Sequence, residues 1–168
     1  MGGWSIFNLA GERASGLSAI ERALALNPNS AHAWNVSGWA HAFCNRPGPA
    51  IEAIHKAIRL SPVDPHRWSF DGGLALAHLV AGRYEQAIEW ANRALDAQTR
   101  ATAVVGYKAA ACGHLGRVEE GNASIKRLRE LRPGFTVTRA ERALGKFVAP
   151  EVLAIFLEGY RKAGLPRE

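Results

Sequence analysis

Residues 32–55 read HAWNVSGWAHAFCNRPGPAIEAIH, and they bring His32, His41, Cys44 and His55 close together in the chain. Such a cluster invites a metal-site reading, since zinc takes imidazole and thiolate ligands that converge at about 2.0 to 2.3 Å. The alternative is that a structural period places each residue for its own reason. Deciding between the two fixes the fold.

A period is present. ALALNPNSAHAW (23–34), AIRLSPVDPHRW (57–68) and KRLRELRPGF (126–135) align on Pro28, Pro62 and Pro133, with Thr99 in the remaining slot. The steps are 34, 37 and 34 residues. A second ruler agrees, because Ala50, Ala87 and Gly121 are separated by 37 and 34. A self-similarity of this length is the signature of stacked supersecondary units.

Each unit reads as two amphipathic helices. Trp34, Gly38 and His41 lie on one stripe of a helix predicted over Ala31–Cys44, NRPGP breaks it, and Ile51, Ile54 and Ile58 mark a second helix over Ala50–Leu60. Ser30 or Asn29 is placed to cap the first helix, and Asp64 followed by Pro65 serves the next unit. The second unit pairs a helix from about Pro65 to Ala81 with one from Tyr84 to Leu95, its three extra residues adding about one helical turn. The third runs from about Thr102 to Leu115 and continues after GRVEE to Leu131. A short helix in GFTVTRAERALGKFV and a clearer one over Pro150–Ala163 follow, with Val152, Phe156 and Tyr160 on one side. Gly164, Leu165 and Pro166 end that last helix.

The pattern resembles the tetratricopeptide repeat. Trp34, Gly38, Ala50, Ile54, Ala57 and Pro62 match its motif in the first full unit; Ala75, Gly82, Ala87 and Ala94 do so in the second, where Asp71 departs from the expected large residue. Ala109, Gly116, Gly121, Ile125, Leu128 and Pro133 match in the third. The resemblance implies an all-α, right-handed superhelix of antiparallel helix pairs with a C-terminal capping helix. As one domain it divides into a partial repeat (1–29), repeats over 30–62, 63–99 and 100–133, and a helical cap over 134–168. In the partial repeat Trp4 already falls on the eighth motif position, so the first helix is cut short and its edge invites self-association or a longer chain.

Wording more specific than the repeat itself, in ERALALNPN, SGWA, AIRLSPVDP, AGRYEQAIEWANRAL and LEGYRKAGLP, resembles the C-terminal repeat region of class III adenylate/guanylate cyclases of alpha-proteobacteria. That resemblance implies a bacterial signalling context and a regulatory tail. It carries over no catalysis, since the paired metal-binding aspartates of that enzyme domain have no counterpart here.

Repeat position answers the metal question. His55 shares its slot with Glu21, Asn92 and Lys126 and is expected to face water. Cys44 shares one with Ala10, Ala81 and Leu115 and is expected to be buried, while His41 shares one with Phe7, His78 and Cys112 and is expected in helix packing. The would-be ligands diverge, so neither a metal nor another cofactor is expected. His41 and Cys44 lack the third orienting group that a nucleophile and base require. Gly72 and Gly73 sit in an apolar helix and read as packing glycines, and the triplets NVS (35–37) and NAS (122–124) as chance glycosylation matches within helices. No catalytic residue is assigned.

Binding remains. The resemblance assigns the inner groove to His32, Asn35, Trp39, Phe43, Leu76, Val80, Ala110 and His114, an apolar and nearly uncharged surface without the lysine and arginine clamp of chaperone-tail receptors. The expected partner is a protein or peptide, with a homo-oligomer through the partial first repeat as a further expectation. Formal charge supplies an alternative. The net charge of +6 arises wholly after residue 99, where thirteen Arg and Lys face seven Glu, and Lys126, Arg127, Arg129, Arg132, Arg139 and Arg142 form a candidate basic patch for an anionic surface or nucleic acid. The two cysteines and the lack of a signal-like or membrane-spanning stretch point to a reduced, cytoplasmic setting.

Overall fold

The computed structural model describes residues 13–168, which carry nine helices and no strand. In chain order these are α1 (Arg13–Leu26), α2 (Ala31–Phe43), α3 (Pro47–Leu60), α4 (Arg67–Val80), α5 (Tyr84–Ala97), α6 (Thr102–Leu115), α7 (Val118–Leu131), α8 (Val137–Leu144) and α9 (Pro150–Lys162). The first half of the partial repeat, Trp4 included, lies outside the described residues. Helices α2/α3, α4/α5 and α6/α7 pack as antiparallel pairs, each second helix of the first two pairs also lying against the first helix of the next.

Three turns show why the period is visible. Where α2, α4 and α6 end, Asn45, Gly82 and Gly116 take left-handed backbone with φ of 58°, 72° and 68°. The amides of Arg46, Arg83 and Arg117 then donate back to the carbonyls of His41, His78 and Cys112 at 2.9, 2.9 and 3.0 Å. The same turn, closed by an arginine amide, satisfies the last carbonyls of each helix and reverses the chain.

Helix starts differ from the sequence expectation in instructive places. Ser30 caps α2 as expected, its Oγ accepting from Ala33 N–H at 3.1 Å. Helix α3 begins at Pro47 rather than Ala50, because prolines in a first turn lack only amides that have no partner there. Asp64 does not cap α4: its carboxylate accepts from His66 N–H at 2.8 Å in a turn, and the helix starts at Arg67. The extra residues of the second unit add no helical turn. Helices α4 and α5 have 14 residues each, like α6 and α7; the linker 61–66 is longer than the linkers 27–30 and 98–101.

Close crossing within a pair and between neighbouring pairs depends on missing side chains. A Cβ at Gly38 would overlap Ile54 of α3, and one at Gly73 would lie 2.8 Å from Ile54 Cδ1 and 2.9 Å from Trp39 Nε1. Asp71, the departure from the motif, is 7% exposed and is held by Arg67, whose Nε donates to its Oδ1 at 2.9 Å. The largest core cluster runs from Ala42 to Leu165, a second gathers Ile54, Ala57, Phe70 and Leu74 between α3 and α4, and a third of Ile20, Val36 and Ala40 joins α1 to α2.

The closing helix covers the last repeat from its inner side. Helix α9 packs chiefly on α6, touches α4, and has little contact with α7, the second helix of that pair. At its start, Ala149 N–H donates to the carbonyl of Phe43 at the end of α2, at 2.8 Å. The helix therefore reaches across the first helices of all three repeats. Leu165 folds back with its amide on the Tyr160 carbonyl at 2.9 Å, beyond Gly164 at φ 89°, and Val137 N–H donates to Pro166 O, tying the tail to α8.

Candidate functional site

The inner face is built by the first helix of each repeat, whose successive turns point the same slots inward. Asn35 is buried and bridges repeats: its Nδ2 donates to Ser69 Oγ of α4 at 3.0 Å, and its Oδ1 accepts from Trp39 Nε1 at 3.2 Å. Trp39 is half-buried and its ring lies 6.0 Å from Phe43 and 6.0 Å from Tyr107. Tyr107 in turn lies 5.6 Å from Phe156, Phe156 5.9 Å from Tyr160, and Tyr160 6.0 Å from Phe135. Six aromatic rings thus run continuously from the first full repeat into α9, at spacings that favour tilted contacts.

Of the groove positions expected from sequence, Leu76, Val80 and Ala110 are buried beneath the folded chain. His114 is half-buried, stacked on Tyr84 with centroids 4.5 Å apart, and its Nε2 is 2.8 Å from the carbonyl oxygen of Ile155 in α9. The Nε2–H tautomer donates there. His32 is exposed, and Trp39 and Phe43 are half-buried. Sequence reasoning singled out the aromatic stripe of α9 and read the helix as a cap over the last repeat, without assigning it the inner face of α6. The signal for that seat is the smallness of Gly106, Ala110 and Gly113, a stripe of α6 with no side chain large enough to hold another backbone off.

The histidines and cysteine of the opening stretch are separated as the period requires, with two corrections. Cys44 is half-buried because it follows the last turn of α2, and His55 is half-buried because it turns edge-on to Trp90, with centroids 6.4 Å apart. His41 Nδ1 and His78 Nδ1 are buried without a hydrogen-bond partner among the described residues. Burial first, and then the neighbouring arginines Arg46 and Arg83, push both imidazoles below the usual histidine range. Burial pushes the Cys112 thiol up to about 11, assisted by Glu120, so it is a poor nucleophile. Tyr107 and Tyr160 are raised by burial as well. Neither cysteine is in a disulfide, and among the described residues no three His, Cys, Asp or Glu side chains converge as a metal site.

The basic residues lie on another face. Lys126, Arg127, Arg129, Arg132, Arg139 and Arg142 are all exposed. Arg127 reaches Glu130 at 3.3 Å and Arg132 lies over the Phe135 ring at 5.1 Å. Lys126 and Arg129 help line a surface hollow of about 460 Å³ together with Asn122, Ile125 and Gly134.

Paired helices, a shared turn and an inner face built from equivalent slots define a helical-repeat scaffold. The tetratricopeptide repeat model matches residues 45–102, and the fold of the described chain is a tetratricopeptide-repeat superhelix. Among solved structures, a thermophilic TPR protein in Thermus thermophilus is similar at 20% identity and TM-score 0.68, covering 96% of this chain and 88% of that one. PilW, a type IV pilus biogenesis factor, is similar at 18% identity and TM-score 0.66, with 84% of this chain aligned to 66% of the other. YrrB, described as a TPR protein with an unusual peptide-binding site, is similar at 18% identity and TM-score 0.58, covering 95% and 80%. No curated protein matches the chain. Among the described residues no helix is long and apolar enough to cross a membrane.

Proposed function

We propose that the chain is a non-catalytic protein–protein interaction module that engages a protein or peptide partner through the open end of its inner face. The observation that carries this is an aromatic edge, the pairing of half-buried Trp39 and Phe43 near the start of α9, with exposed His32 about two turns before Trp39 on the same helix. Aromatic anchors of this kind dominate binding energy where they enter a pocket on the partner. The finer reading is a cytoplasmic regulatory tail of a bacterial signalling protein such as an adenylate cyclase, supported by the wording of the repeats. Titrating the isolated catalytic domain of such a cyclase against wild type and His32→Glu tests it. His32 is exposed, so its replacement leaves the fold intact; at least tenfold weaker binding by the variant is expected, and equal affinity removes this edge.

The exposure of all six basic side chains from Lys126 to Arg142 favours a second reading, an anionic-surface or nucleic-acid binder. Affinity for a random-sequence oligonucleotide then falls steeply between low and high salt. An affinity that does not change with salt removes it.

A further inference from the structure

The inner face is filled by the chain's own closing helix, and the manner of filling describes a ligand. Helix α9 buries Val152, Phe156, Leu157, Gly159 and Tyr160. At Gly159 the two backbones meet: an added Cβ would lie 2.5 Å from the Ala110 carbonyl oxygen and 2.8 Å from Ala110 Cα. A Cβ at Gly113 would overlap the Gly159 carbonyl, and one at Gly106 would lie 2.7 Å from the Tyr160 hydroxyl. Polar contacts at two points fix the register, Ala149 N–H on Phe43 O and His114 Nε2 on Ile155 O, each at 2.8 Å. An apolar stripe, a close backbone crossing and two side contacts together make a helix receptor already holding a tethered helix.

We propose that α9 is the tethered occupant of a helix-binding site, and that the partner this face takes is an amphipathic helix repeating its pattern. That pattern is a branched aliphatic residue (Val152 here), an aromatic four positions on (Phe156), a glycine three beyond it (Gly159) and an aromatic directly after (Tyr160). The inference rests on the interaction-module reading and adds the partner's chemistry. With α9 seated, Gly106, Ala110 and Gly113 of α6 are out of reach, so the intact chain is closed to such helices and the site opens when α9 leaves. The glycine sets specificity, since any larger residue there holds the helix off α6.

The full chain with a protease site inserted between the exposed residues Gly145 and Lys146, folded and then nicked, tests this. The probe is a labelled peptide of residues 146–168. It is expected to exchange into the nicked chain at least tenfold more tightly than the same peptide carrying Gly159→Leu, and not to bind the intact chain at that concentration. Leucine favours the helix over glycine, so weaker binding by the variant is not a loss of helicity. Failure of the wild-type peptide to exchange, equal binding of the two peptides, or equal binding to nicked and intact chains overturns the proposal. A concentration-dependent dimer of the intact chain that takes up no peptide also overturns it, by making a second copy the donor of α9. None of these readouts depends on His32, so failure of the edge proposed above is distinguishable.

Discussion

At position 78 an imidazole is 6% exposed, with Arg83 and His55 disfavouring its charge and Glu89 favouring it less strongly. Its folded pKa is lowered, chiefly by burial, whereas in the unfolded chain it returns to about 6.5. Below that pH the unfolded chain binds the proton that the folded chain refuses, so stability falls as pH drops. His41 acts in the same direction. Urea denaturation at pH 7.5 and 5.0 is expected to show a smaller loss of stability for His78→Phe than for wild type; equal losses would show that His78 does not titrate on unfolding. Gly82 gives a second prediction at this scale. No side chain crowds it, so the cost of Gly82→Ala comes from its φ of 72° alone, about 1 to 2 kcal/mol. Chemical denaturation would measure it.

Among the elements, α9 carries the largest share of what periodicity could not reveal. Phe156 is 1% exposed and joins Tyr107 to Tyr160. Phe156→Ala is expected to cost about 3 to 5 kcal/mol, because a ring-sized cavity opens where α6 cannot close in. Thermal unfolding followed by circular dichroism would show the drop; a change below about 1 kcal/mol would mean that α9 is not packed as described. The start of α3 teaches the opposite lesson about propensity. Pro47 and Pro49 look like a break in sequence, yet in a first turn they cost nothing and fix the approach, so the helix opens three residues earlier than the apolar spacing suggested.

For the whole molecule, the largest core cluster runs from the repeats into α9 and the tail when α9 is seated. Hydrogen exchange is expected to show the amides of α9 opening at lower free energy than those of α6, since the site empties while the repeats stay folded. Equal protection of α9 and α6 would contradict this.

The repeat architecture was legible in the sequence because its causes are local. Apolar spacing makes the helices, small residues at Gly38 and Ala50 let a pair cross, and Asn45, Gly82 and Gly116 reverse the chain at one slot in every unit. Even the scattering of His32, His41, Cys44 and His55 followed from the period, because each slot has its own direction on a helix. What only the tertiary structure decided is which surface remains open. Leu76, Val80 and Ala110 carry the pattern of a groove lining, but whether such a lining meets a partner or its own chain depends on where a helix farther along the sequence comes to rest. Gly159 against Ala110 and Gly113 settles that, and no period predicts it, since the contact joins a repeat to a segment outside the repeats.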